Sequence, residues 1–168
     1  MDLEVSADGT LRWPGGAFRC ALGRGGIRAD KREGDGGTPT GRFALRRVLY
    51  RADRLSAPQT ALPVSPIDPL DGWCDDPGHP DYNRPVRLPF PASHEELWRE
   101  DGVYDVVVVL GHNDDPVVPG AGSAVFMHVA KPGYEPTAGC VALALPDLLR
   151  LLAACGPGDA ILVRPDAG

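Results

Sequence analysis

The chain has 168 residues, 43% of them hydrophobic and 24% charged, with a formal net charge of −6. These values are typical of one soluble globular domain that buries a core without needing disulfides or metals. The acidic balance argues against a nucleic-acid partner, because phosphate binding requires clustered Lys and Arg. We therefore predict a single domain over residues 1–168.

The ends and the apolar runs give no sign of targeting. The N-terminal sequence MDLEVSADGTLRW has neither the basic nor the apolar segment of a secretion signal. The longest apolar run, VVVVL at 106–110, is too short to cross a bilayer. We expect a cytoplasmic protein without a membrane span, or a periplasmic one if it is exported by another route. Its oligomeric state is not predicted.

The first part of the chain favours short strands. With 21 glycines and 18 prolines, many turns are expected. An Asp8-Gly9 turn predicts a hairpin over residues 3–13, and a strand follows from residue 17. A Gly- and Pro-rich loop at 32–41 precedes an alternating strand, RFALRRVLYR.

The middle of the chain, from about residue 53 to 100, is rich in proline and poorly periodic. Such a long irregular segment is more often a functional loop or lid than a linker. At its end, SHEELWRE (93–100) has a capping box, with Ser93 as N-cap and Glu96 three residues later, and predicts a helix.

The last third alternates further strands with one helix. Pro146 suits the first turn of a helix that Gly156 ends. The complete count is about eight strands and two helices, so we predict a mainly β fold. The predicted segments are YDVVVVLGHND, SAVFMHVA and VALAL as strands, PDLLRLLAACG as a helix, and GDAILVRP as a closing strand.

Cys140, in the sequence TAGC, has the surroundings of a nucleophile. Most free cysteines are small packed side chains, and Cys20 and Cys155 suit that description. The glycine before Cys140 allows a substrate to approach, and the N–H groups of Ala138 and Gly139 can form an oxyanion hole. A nucleophilic thiol also needs a base, and His128, at the end of the preceding strand, can supply it.

These motifs together resemble the L,D-transpeptidase catalytic domain (the YkuD family). The resemblance rests on KREGDGGTPTGRF (31–43), on a strand ending in His128 and on TAGCVAL (137–143). It extends over about residues 20–163. It implies a β-sandwich-like fold and a cysteine acyl-enzyme mechanism on peptidoglycan stem peptides, with cleavage of the diaminopimelate–D-alanine bond.

The resemblance also implies roles for the residues that match the motif. Cys140 would be the nucleophile, His128 the base and then the acid, and the backbone N–H groups around Ala138, Gly139 and Cys140 the oxyanion donors. The chain departs from the family at Ala138, where His is common, and at Ala142, where Arg is common. Two alternatives therefore stay open: an L,D-carboxypeptidase that trims tetrapeptides in cell-wall recycling, and a non-catalytic muropeptide-binding domain.

Several polar groups elsewhere are candidate substrate contacts. His112 and Asn113 follow the central strand and can either be structural or hold a substrate carboxylate. The segment WCDDPGHPDYN (73–83) is either an ordered surface loop or a lid whose acidic groups receive the diaminopimelate amine. Its candidate residues are Trp73, Asp75, Tyr82 and Asn83. The Cys and His spacings do not fit structural zinc, so neither a metal nor a cofactor is expected.

Overall fold

The computed structural model describes residues 1–166, which form fourteen strands, one α-helix and a 3-10 turn at Pro132–Tyr134. The helix is α1 (Leu145–Ala153). The strands are β1 (Asp2–Ser6), β2 (Thr10–Trp13), β3 (Gly16–Arg19), β4 (Ile27–Arg28), β5 (Thr38–Pro39), β6 (Gly41–Tyr50), β7 (Val64–Pro66), β8 (Asp71–Cys74), β9 (Pro85–Arg87), β10 (His94–Glu96), β11 (Val106–Leu110), β12 (Phe126–Val129), β13 (Val141–Leu143) and β14 (Ala160–Val163).

One nine-stranded sheet forms the framework, in the order β13-β12-β11-β6-β14-β1-β2-β3, with β7 beside β6. The ten-residue strand β6 joins its two halves. Its first half pairs with β14 and its second half with β11, with a register shift between Val109 and Leu110. At the far edge β12 and β13 run parallel, with His128 opposite Ala142.

The strand β11 is apolar at every position because both of its faces are covered. Val106 and Val108 pack into one core cluster with Leu148 and Leu151 of α1. Val107 and Val109 pack into a second cluster on the opposite face of the sheet. The prediction of a central buried strand at this place is confirmed.

The Pro-rich middle segment builds the cover of that second face. Its strands form a three-stranded sheet in the order β10-β8-β9. Trp73 of this sheet meets Phe126 of β12 edge to face, with ring centroids 5.0 Å apart. Leu97 and Tyr104 are buried in the same cluster, and so is Cys140. The cover and the nucleophile candidate therefore belong to one packing unit.

The predicted helix at SHEELWRE is wrong, because His94–Glu96 form strand β10. Glu95 pairs with Trp73 and His94 with Cys74 across an antiparallel ladder. Leu97, which follows the strand, is 2% exposed and belongs to the second core cluster. Sheet pairing and the burial of Leu97 therefore outweigh the local capping signal of Ser93.

The fold class is confirmed as mainly β, with the single helix that TAGCVAL leads into. The N-terminal hairpin forms as predicted, with β1 and β2 on either side of the Asp8-Gly9 turn. More strands form than the eight expected, because the middle segment pairs instead of remaining a loop. Within residues 1–166, no helix has the length and apolar character needed to cross a membrane.

Candidate active site

Cys140 sits at the end of a tight turn, directly before β13. Thr137 closes this turn: its hydroxyl donates to the Cys140 carbonyl at 2.7 Å and accepts the Gly139 N–H at 3.1 Å. Gly139 has φ of +142°, a conformation that side chains with a Cβ rarely adopt. A Cβ there would also lie 2.8 Å from the Gly37 carbonyl oxygen. The glycine before the cysteine is thus required by the backbone itself.

The glycine-rich loop at 32–41 holds this turn from behind. The Thr38 hydroxyl donates to the Gly139 carbonyl at 2.9 Å and accepts the Gly23 N–H at 2.9 Å. Thr38 is 1% exposed. On the other side Thr137 exchanges backbone hydrogen bonds with the segment at 22–24. The two motifs that are a hundred residues apart in sequence therefore form one structural unit around Cys140.

The Cys140 thiol is buried against strand β12. The Phe126 N–H donates to Sγ at 3.3 Å, and the thiol donates to the Ala124 carbonyl at 3.3 Å. His128 lies two residues beyond Phe126 on the same strand, so both side chains point to the same face of the sheet. The His128 ring therefore lies one pleat along the strand from the thiol.

The tautomer of His128 follows from its neighbour. Its Nδ1 is 2.9 Å from the Val129 carbonyl oxygen, and a carbonyl only accepts. Nδ1 therefore carries the proton, and Nε2 presents its lone pair. This is the arrangement that a general base requires.

Burial keeps both groups neutral at rest. It raises the pKa of the Cys140 thiol to about 12 and lowers the pKa of His128 to about 4. The resting pair is thus a thiol and an imidazole, with no preformed ion pair. Deprotonation of the thiol must accompany its attack on a substrate.

Tyr104 and Glu95 form the wall beside the histidine. The Tyr104 ring lies edge-on to His128 with centroids 5.3 Å apart, and its hydroxyl donates to Glu95 Oε1 at 2.8 Å. Burial raises the pKa of the Glu95 carboxyl. The sequence does not single out either residue. For Glu95 the predicted helix is the reason, and the pairing of Glu95 with Trp73 across the ladder is a tertiary contact that no local pattern shows.

Cys140 and His128 line one cavity of about 430 Å³. Four cationic and four acidic side chains share its wall. They are Arg24, Lys31, Arg99 and Lys131, and Glu33, Asp75, Glu95 and Glu135. Lys31 and Lys131 are the only lysines in the chain. The cavity can therefore receive a ligand that carries charges of both signs.

Five of the residues singled out from the sequence lie in this cavity: Cys140, His128, Gly139, Ala138 and Asp75. The Oδ1 atom of Asp75 is buried and has no hydrogen-bond partner among the described residues. The Gly139 N–H, however, is already bonded to the Thr137 hydroxyl. Of the expected oxyanion donors, the Gly139 N–H is therefore already used within the turn.

The other candidate residues do not line this cavity. Trp73 Nε1 donates to Asn83 Oδ1 at 2.9 Å, and the Asn83 amide donates to the carbonyls of His112 and Asn113. The Tyr82 hydroxyl donates to Glu33 at 2.7 Å. These groups form a polar network next to the cavity wall, and Trp73 and Asn83 also line a second cavity of about 240 Å³.

Asn113 and His112 are held by their own loop. The Asn113 side chain accepts the Val118 N–H at 2.7 Å and donates to the carbonyls of Val118 and Gly122. The His112 ring packs edge-on against Phe43 at 5.2 Å. Among the described residues, no three His, Cys, Asp or Glu side chains converge to hold a metal ion.

A sequence profile of the L,D-transpeptidase catalytic domain (YkuD) matches residues 3–163. The chain belongs to the L,D-transpeptidase catalytic-domain family. No curated protein matches it. Among solved structures it is similar to an L,D-transpeptidase from Mycobacterium smegmatis, at 15% identity and a TM-score of 0.42. The alignment covers 98% of this chain and 58% of that one.

The match to the L,D-transpeptidase family includes both motif segments. The glycine-rich loop and the TAGC turn both lie within the matched residues, and they meet at the Thr38–Gly139 hydrogen bond. One departure from the usual motif, Ala142, also has a local explanation. Ala142 is 1% exposed and faces His128 across the parallel ladder, so a long cationic side chain would not fit there without rearrangement.

Proposed function

We propose that this protein performs cysteine acyl-enzyme chemistry on peptidoglycan stem peptides. The observation that carries the proposal is that Cys140 and His128 line one charged cavity, with Nδ1 of His128 held by the Val129 carbonyl and Nε2 without a partner among residues 1–166. The family supplies the substrate class. The bond cleaved is the one between the L-centre of diaminopimelate and the terminal D-alanine.

The proposed reaction begins with transfer of the thiol proton to Nε2 of His128. Sγ forms a bond to the substrate carbonyl carbon, and the carbonyl electron pair moves onto oxygen. When the tetrahedral adduct collapses, the C–N bond breaks and the His128 imidazolium protonates the leaving amine of D-alanine. A thioester on Cys140 remains. Water or the amine of a second peptide then attacks the thioester carbon and gives its proton to His128. The C–S bond breaks, and the His128 imidazolium returns the proton to Sγ, which restores the thiol.

Hydrolysis is the second candidate outcome of the same chemistry. A cavity of about 430 Å³ lies at the lower end of the range for small-ligand sites. That volume favours one peptide terminus with a water molecule over two peptide chains. An L,D-carboxypeptidase would release tripeptide, whereas a cross-linking enzyme would release dimers.

Incubation of the purified protein with a disaccharide-tetrapeptide tests the proposal. We expect release of D-alanine and a transient mass increase on Cys140 in intact-protein mass spectrometry. Cys140→Ala should abolish both, while Cys74→Ala, which removes a buried thiol elsewhere, should retain both. Tripeptide products favour hydrolysis, and dimers favour cross-linking. Fragment binding without an adduct or product would instead identify a non-catalytic binding domain.

A further inference from the structure

Lys31 lies on the cavity wall beside the Cys140 turn. Its side chain is 9% exposed, and Nζ is 2.7 Å from Asp35 Oδ1. A Cβ atom built on Gly139 would lie 3.4 Å from Nζ. The ammonium is therefore next to the peptide unit that precedes the nucleophile. Asp35 accepts one of its three N–H donors, and the other two have no partner among residues 1–166.

Asp35 fixes this ammonium in place. Its carboxylate also accepts the backbone N–H groups of Arg32 and Gly37, both at 2.8 Å. Burial alone would raise the pKa of Asp35, but these hydrogen bonds, led by that from Lys31, lower it to about 2. The Asp35 carboxylate thus stays charged at neutral pH. A cation held in this way needs little reorganisation when a negative charge develops near it.

The oxyanion donors of the turn are incomplete without Lys31. Attack by Cys140 places negative charge on a carbonyl oxygen beside the Ala138–Cys140 backbone. The Gly139 N–H donates to Thr137 Oγ1 at 3.1 Å, and it cannot serve the oxyanion without releasing that bond. The amides of Ala138 and Cys140 lie on either side of the unavailable Gly139 N–H. The ammonium of Lys31 lies next to Gly139.

We propose that Lys31 is a catalytic residue whose ammonium group stabilises the oxyanion formed when Cys140 attacks the substrate carbonyl. The inference rests on the proposed acyl-enzyme function. Lys31 stays protonated throughout and donates hydrogen bonds only. Negative charge accumulates on the carbonyl oxygen as the S–C bond forms. The electron pair on this oxygen re-forms the C=O double bond as the C–N bond to D-alanine breaks.

The electrostatics of the thiol support this placement. Burial raises the pKa of Cys140, and Glu95 raises it further, whereas Lys31 and Arg99 lower it. Arg99 donates to Asp101 and lies over the Tyr104 ring, which is beside His128. Lys31 instead lies beside Gly139. Lys31 is therefore the cation next to the peptide unit that precedes the nucleophile.

Single-turnover acylation of Cys140 by a disaccharide-tetrapeptide, followed by mass spectrometry, tests the role of Lys31. We expect Lys31→Gln to slow acylation by about 10²–10³-fold, the loss typical of one oxyanion donor. Lys31→Arg keeps the charge and should recover most of the rate. The pH dependence of alkylation by iodoacetamide should also show a higher Cys140 pKa in Lys31→Gln, independently of any peptide substrate.

Two further variants separate this role from its alternatives. Lys131→Gln removes the same charge from the same cavity at another place, so an equal loss in both variants would overturn the proposal in favour of a general charge effect. Asp35→Asn keeps the ammonium but removes its anchor, so we expect a smaller loss of rate than in Lys31→Gln. A larger loss in Asp35→Asn than in Lys31→Gln would show that the ion pair acts only by holding the loop. Wild-type protein without an adduct would refute the proposed function, whereas equal acylation of wild type and Lys31→Gln would refute this inference alone.

Discussion

Gly139 is the residue at which backbone geometry and chemistry meet. Its φ of +142° excludes side chains on steric grounds, and a Cβ would collide with the Gly37 carbonyl at 2.8 Å. We expect Gly139→Ala to push the TAGC turn away from the glycine-rich loop and to reduce acylation of Cys140 by more than 10²-fold. The acylation rate under single-turnover conditions measures this effect.

Gly16 offers a matched control for Gly139. Its φ is +140°, and an added Cβ would meet nothing within 4 Å. Gly16→Ala therefore bears the conformational cost, of about 1–2 kcal/mol, without the collision. The free energy of unfolding should fall in both variants, but acylation should fall only in Gly139→Ala. Equal acylation rates in the two variants would contradict the importance of the turn.

At the level of structural elements, one threonine joins the two motif segments. The Thr38 hydroxyl links the Gly23 N–H to the Gly139 carbonyl inside the protein. Thr38→Val keeps the shape but leaves both backbone groups without a partner, which costs about 1–3 kcal/mol for each buried group. We expect lower stability in urea unfolding and, because the Cys140 turn loses its support, a loss of acylation of about tenfold or more.

Thr60 makes the same pair of bonds far from the cavity. Its hydroxyl donates to the Cys155 carbonyl at 3.1 Å and accepts the Leu62 N–H at 3.2 Å. Thr60→Val should therefore lower stability while acylation stays within about twofold of wild type. If both threonine variants lost activity in proportion to stability, the Thr38 bridge would have no special role in the site.

The sequence predicts the elements that are set by residues within the segment itself, and not those that are set by pairing with a distant segment. The hairpin around Asp8-Gly9, the β11 run and the helix after Pro146 follow from turn residues and periodicity, and they formed as expected. The strand β10 did not, because its pairing partner in β8 lies twenty residues away. A capping box is a local signal, whereas the burial of Glu95 and Leu97 is set by tertiary contacts.

The same distinction applies to the site. The motif context singled out Cys140 and His128, and both line the cavity. Of the candidate residues in 73–83, Asp75 lines the cavity, whereas Trp73 and Asn83 bond to each other and Tyr82 bonds to the cavity residue Glu33. Their contact with substrate stays a prediction. Lys31 was visible only as part of a loop motif, since its nearness to Gly139 depends on the folded chain.

At the scale of the whole molecule, the two faces of the sheet differ in the side chains that they bury. The face under α1 is an apolar core built from Leu and Val side chains. The opposite face packs around Cys140 and includes ionisable groups that the fold keeps out of water. His128 on that face is 7% exposed, so the pH dependence of the free energy of unfolding should reflect the ionisable groups there.

Two histidines, the buried His128 and the half-buried His112, should make the protein sensitive to mild acid. Burial lowers the pKa of His128 and of His112 from about 6.5 to about 4. The unfolded chain binds these protons near pH 6.5, but the folded chain does so only near pH 4. The free energy of unfolding is therefore highest with respect to these two groups above pH 6.5. It falls as the pH decreases towards 4, by about 3 kcal/mol for the deeply buried His128.

Urea unfolding at about pH 7 and pH 4.5 measures this loss. Glu95 acts in the opposite direction, because its raised pKa makes the folded state retain a proton that the unfolded chain releases.

Variants separate the contributions: His128→Gln and His112→Phe should each reduce the acid sensitivity, and the double variant should reduce it further. His112→Phe also removes a buried Nδ1 that lacks a partner among the described residues, so its stability at pH 7 should not fall by more than the packing cost. An unchanged pH dependence in the double variant would show that other groups control the acid response.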